Sequence, residues 1–240
     1  MHSHHHCSLP SATESRADSL LAARPVLGNN YFNALAAGTM ELETFRKTQR
    51  QFFFAVGFFS RALAALTARL PASGDREILV HNLAEEHGLD EEQPGKGFRG
   101  DLAHDRTFLC FLQSLDPQIP VAGGEEPAPA VQAFNLALLG ACSMETPGFA
   151  FCALGIVESA FADISALIAR RVVELGWVAA EDLVHYNLHA DIDKRHAAEL
   201  FEAAEQWERS SEPGPGMLGG LAFGRHIFDR LYTDLLTEAL

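Results

Sequence analysis

Between residues 189 and 200 the chain reads HADIDKRHAAEL, with two histidines and two aspartates inside eight positions. Imidazole and carboxylate at helical spacing can form a solvated charged face or hold a metal ion. On a helix advancing about 100° per residue, His189, Asp193 and His196 stand at i, i+4 and i+7 and fall within about 60° of one another. Asp191, Lys194 and Arg195 point elsewhere. A rigid element that carries three ligands fixes their separations before any metal arrives. An exposed face laced with i, i+4 pairs would show the same pattern, so the triplet needs partners from other segments.

Glu158 is the first such partner. It lies in FAFCALGIVESAFADISALIA, in surroundings that are apolar over more than two turns. A carboxylate there is costly unless paired, hydrogen-bonded or bound to a cation. The segment ILVHNLAEEHG supplies Glu85 and Glu86. Ile78, Leu79, Asn82 and Glu86 follow an i, i+1, i+4, i+8 spacing, which makes Glu86 the better inward candidate. His81 and His87 are alternates. Beyond a polar loop, His104 opens the apolar run DLAHDRTFLCFL, as a ligand or as a residue at a helix start.

Several carboxylates with three histidines and no thiolate are not a structural zinc set, nor an all-oxygen magnesium or calcium set. Mixed histidine and carboxylate ligation from several helices suits iron or manganese, often as a pair. Ferritin-like bundles use two Glu-x-x-His motifs. Here the residues three beyond Glu85, Glu86 and Glu158 are Gly88, Leu89 and Phe161, so that architecture is disfavoured.

The elements that must position these groups are helical throughout. Strand alternation and hairpin turns are nearly absent. Helices are predicted over about 30–37, 40–70 (stopped by Pro71), 75–88, 101–115, 130–143, 147–176, 179–207 and 217–239. Polar loops are expected at 89–100 and 117–129. Residues 1–27, beginning MHSHHHCSLPSATES, are expected to be disordered or tag-like; residues 28–240 form one all-α bundle of about seven helices. The 240 residues carry 18 Lys and Arg against 32 Asp and Glu, a net charge of −14. That acidity argues against nonspecific binding to nucleic acid or to anionic membrane. Cys110, Cys142 and Cys152 read as small core residues. No secretory h-region and no uninterrupted apolar run of bilayer length are found, and a cytoplasmic location is expected.

The order Glu, His, Glu, then His-x3-Asp-x2-His, with the NLAEEHG stretch, resembles the heme-oxygenase-like di-iron oxidases and oxygenases, relatives of thiaminase-type and pyrroloquinoline-quinone-synthase folds. The resemblance spans most of residues 30–235. It implies that Glu86, His104, Glu158, His189, Asp193 and His196 ligate two Fe(II) ions, with O2 as co-substrate and manganese as an allowed substitute. It implies oxidation of a small amino acid, amine or carboxylic acid in specialised metabolism, by desaturation, C–C cleavage, nitrile formation or N-oxygenation. The partners expected are that substrate and O2; a homodimer is allowed. The alternative is a metal-independent thiaminase-type or cofactor-biosynthesis enzyme on the same fold. Residues 46–74 contain no Asp or Glu, so a seventh carboxylate ligand from that helix is not expected. RQFFFAVGFFSRAL (50–63) is a candidate pocket wall, with Gly57 allowing close approach and Arg50, Arg61 or Arg170 as candidate carboxylate clamps.

Overall fold

The computed structural model describes residues 10–90, 97–119 and 126–239. Among these there are nine α-helices, two short 3-10 turns and no strand beyond one isolated bridge. They are α1 (Ala12–Ala23), α2 (Asn30–Ala37), α3 (Leu42–Arg69), α4 (Ser73–Glu86), α5 (His104–Leu115), α6 (Pro129–Met144), α7 (Pro147–Glu174), α8 (Val184–Glu208) and α9 (Pro215–Ala239). This is the all-α bundle expected of the sequence. Helices α2 to α9 lie close to the predicted spans.

Helix α7 is the spine. Pro147 opens it without sacrificing a needed N–H, and the Thr146 side chain caps it by accepting from the Phe149 amide. It is apolar on almost every face and buried along most of its length. Helices α8 and α9 run along it, and α3 completes the enclosure through α4, α5, α6 and α9. Close approach of α9 depends on small residues: a Cβ at Gly224 would collide with the Ala153 carbonyl oxygen of α7.

Helix α1 corrects the expectation of a disordered segment for its residues. Ser11 and Glu14 form a reciprocal capping box. The Thr13 amide then donates to Glu205 of α8 at 2.8 Å, and Ala17 is fully buried. The N-terminal histidines and Cys7 lie outside the described residues. Helices α3 and α7 are each long and apolar enough to cross a membrane by length and composition, which a search for uninterrupted apolar runs does not register. The apolar window of α7 is 78% buried inside the bundle, as expected of a core helix. Cys142 and Cys152 are buried, but Cys110 is exposed on α5, contrary to its reading as a core residue.

Candidate metal centre

Three of the six candidate ligands stand on α8, as helical phase requires. His189, Asp193 and His196 are all buried, whereas Asp191 is exposed. Glu158 reaches them from the middle of α7. One donor atom each from Glu158, Asp193 and His196 lies within 4.8 Å of the others. The remaining two come from α4 and α5. Glu86 Oε1 sits 3.0 Å from His104 Nδ1, and the His104 ring packs edge-on to His189 with centroids 4.4 Å apart. All six side chains therefore converge on one buried volume between α4, α5, α7 and α8.

The loop between Glu86 and His104 is pinched at its base. Gly88 adopts φ +92°, and its carbonyl accepts from the Arg99 amide at 2.8 Å. Leu89 and Phe98 form the isolated bridge beside it. An added Cβ at Gly88 would collide with the Arg99 carbonyl oxygen, so glycine is needed there on two counts. This closure returns the chain so that the first residue of α5, His104, faces the last residue of α4, Glu86. His87, the alternate, is exposed at the helix end.

Glu85 and Glu86 are both buried and do different things. About 100° apart on the last turn of α4, they straddle the site. Glu85 Oε2 accepts from His196 Nε2 at 2.8 Å, and Oε1 from Arg195 at 2.5 Å. His81 Nδ1 lies 3.4 Å from the same carboxylate. Burial would raise the Glu85 pKa, but the bonds from His196 and Arg195 outweigh it and hold the carboxyl down at about 2. With Nε2 so engaged, His196 turns Nδ1 toward Glu158, 3.8 Å away. A carboxylate that fixes the tautomer of a ligating histidine is a recurrent outer support of metal sites.

Buried polar atoms normally find partners, and this cluster breaks that rule repeatedly. Glu158 Oε1, His189 Nε2, Asp193 Oδ2 and His196 Nδ1 have no hydrogen-bond partner. His104 Nδ1, although close to Glu86, is not aligned for a hydrogen bond. Two ligands bound side by side at about 2.1 Å stand about 3 Å apart, the separation seen for Glu86 and His104. The donor set fits divalent iron or manganese: nitrogen and carboxylate, no sulfur.

Electrostatics shows the same unmet demand. Burial, then the Asp193 charge, pushes Glu158 well above the usual carboxylate range. Burial raises Asp193 to about 8, against the pull of His196 and His104. Burial would lower His104, but the Glu86 charge overrides it and lifts the histidine to about 9. His189 is held well below its ordinary value by burial and by His104. The cluster thus stores protons where a cation would balance its carboxylates.

A family model described as iron-containing redox enzyme matches residues 46–220, a span that holds all six side chains. The chain belongs to that family. Solved structures share its fold. A TenA homolog from Pseudomonas syringae pv. tomato matches with a TM-score of 0.67 and 15% identity, over 96% of this chain and 93% of that one. A CADD-like protein of unknown function from Nostoc punctiforme matches with a TM-score of 0.65 and 19% identity, over 95% and 96%. No curated protein matches the chain.

In this member of the family, an apolar cavity with an open mouth adjoins the cluster. Phe52, Ala55, Val56 and Phe59 of α3, Phe134 of α6, Phe161 of α7 and Phe228 of α9 line it. The predicted wall is therefore present, but Gly57 is not part of it: that glycine is exposed on the opposite face of α3. None of the candidate clamps reaches the cavity. Arg61 lies over the Phe58 ring and Arg170 pairs with Glu174, and Arg50 is not among the lining residues.

One lining residue escaped the sequence reading. His185, fully buried and one turn before His189, packs its ring 4.2 Å from that of His189. Burial, then His189 and His104, keep its pKa well below the ordinary value. The signal was available, because i, i+4 and i+8 place His185, His189 and Asp193 on one stripe.

Proposed function

We propose that the chain is a non-heme di-iron oxidase or oxygenase that uses O2 to oxidise a small organic substrate held in the apolar cavity. The observation that carries this reading is the convergence of partnerless buried donor atoms on Glu158, His189, Asp193 and His196 with the Glu86–His104 pair. Six such ligands, shared by two ions, leave open positions for O2. When bound, the ferrous pair supplies the electrons that activate O2. The chain's own part is to fix the ligands on four helices, to exclude water with phenylalanine side chains, and to present substrate beside the cluster.

The thiaminase-type alternative needs chemistry from side chains alone. Among the described lining residues there is no Ser, Thr, Cys or Lys to act as nucleophile. Cys142 and Cys152 lie elsewhere, and burial pushes both thiols up to about 12. The metal reading therefore uses what the cavity contains.

Anaerobic titration with Fe(II), followed by an O2 pulse, tests it. About two irons per chain and iron-dependent O2 uptake are expected. Glu158→Ala and His196→Ala should each lose at least about tenfold in iron affinity. No uptake by the wild-type chain, or unchanged uptake in both variants, refutes the assignment.

A further inference from the structure

His185 lines the cavity beside Glu86, Glu158, His104 and His189 and is not one of the six candidate ligands. Its Nδ1 lies 3.0 Å from the Thr107 hydroxyl oxygen. That hydroxyl is also 3.0 Å from the His104 carbonyl oxygen. A carbonyl only accepts, so the single hydroxyl proton goes to it. Thr107 must then accept from His185, which places the imidazole proton on Nδ1. Nε2 is left with a bare lone pair, and it has no partner in the protein. The imidazole packs edge-on to Phe108 with ring centroids 4.8 Å apart, and the Phe161 and His189 rings stand 6.3 and 4.2 Å from it.

We propose that His185 is the substrate-orienting acceptor of this cavity: its Nε2 receives an N–H or O–H group of an uncharged, largely apolar substrate and holds it beside the cluster. The inference rests on the cavity being the substrate pocket of the proposed oxidase. It narrows the substrate class. An acceptor lone pair cannot hold a carboxylate, and no lysine or arginine lines the cavity to do so. An amine in its neutral form, an amide, an oxime or an alcohol on an aromatic or branched aliphatic body meets the requirement, because the body matches the phenylalanines and one donor matches Nε2.

Indole and indene are suitable probes, since they share a shape and differ in one N–H donor, and the indole nitrogen has no free lone pair for iron. Their affinities are measured by calorimetry on iron-loaded wild type, His185→Phe and Thr107→Val. The indole-to-indene affinity ratio should fall by about 5–150-fold in His185→Phe, the fold-change of about 1–3 kcal/mol for a buried donor left unpaired. Thr107→Val keeps the imidazole but removes the acceptor that fixes its tautomer, so the ratio should fall in the same direction and by less. Iron content should be unchanged in both variants. An unchanged ratio in both variants overturns the proposal, as does loss of an iron from His185→Phe, which would make the residue a ligand. Iron uptake by the wild type is read separately: its absence refutes the oxidase, while the ratio measured on the metal-free chain still decides the role of His185.

Discussion

Substituting Glu85 by glutamine separates the support of the centre from its ligands. The carboxylate accepts from His196 on one oxygen and from Arg195 on the other. Burial opposes the charge, but those two bonds hold the carboxyl down at about 2, and screening at its half-exposed Arg195 side leaves an interaction of about 1–3 kcal/mol. Glutamine keeps the shape and can accept one N–H but gives up the charge. Losing such an outer partner costs about 10–100-fold in metal affinity, about 1.4–2.8 kcal/mol, within what the pair holds. Fe(II) retention against graded chelator competition under argon measures it. Glu85→Gln should bind the same number of ions with one weakened by that factor, whereas Glu86→Gln should lose an ion. A Glu85→Gln protein indistinguishable from wild type would reduce Glu85 to an ordinary ion pair. Loss of stoichiometry in Glu85→Gln with retention in Glu86→Gln would exchange their roles. The same variant has a signature in acid. A depressed carboxyl stabilises the fold above its unfolded value near 4.5 and loses that contribution as pH falls toward 2. The stability advantage of metal-free wild type over Glu85→Gln should therefore disappear across that window.

Asp191→Asn should leave iron content unchanged and Asp193→Asn should not, since only the second is buried in the cluster; equal losses by metal analysis would mean that the helical phase of α8 is misassigned. In the metal-free protein, Asp193 at about 8 and His104 at about 9 are both protonated at pH 7. Iron must displace at least about two protons, since burial raises Glu158 as well, so affinity should climb by about 100-fold or more per pH unit below pH 8, with matching proton release in calorimetry across buffers of different ionisation enthalpy. An affinity independent of pH between 6 and 8 would refute this.

The α8 triplet could be found from the sequence because one helix sets its own side-chain phase. Glu158 could be found because a carboxylate inside an apolar helix has few cheap explanations. Helical spacing favours Glu86 over Glu85 but misses the part Glu85 plays, since both are buried and their roles differ in which neighbouring helix they face. The Glu86–His104 approach was equally hidden: it depends on backbone pairing of Gly88 with Arg99 across a loop, and a string of polar residues does not announce where it closes. Helix α1 has a readable capping signature in Ser11 and Glu14, but its sequence, ATESRADSLLAA, has little apolar periodicity to mark a buried face. His185 went unread for a different reason. It lies one turn before His189 on the same stripe of α8, outside the eight-residue stretch of histidines and aspartates that marks the ligands.

The six side chains are distributed unevenly along the chain. Glu158 and the α8 triplet belong to two helices packed along each other, while Glu86 and His104 sit where α4 and α5 touch α8 only lightly. Glu85 and His196, bonded across that contact, are 111 positions apart. An ion gripping both sides works as a clasp. It restricts the unfolded chain as a cross-link closing a loop of that length would, a restriction worth about 4–5 kcal/mol for a disulfide of similar span. In the proposed oxidase, metal bound at this centre would therefore also cross-link α4 and α5 to α7 and α8 around the cavity.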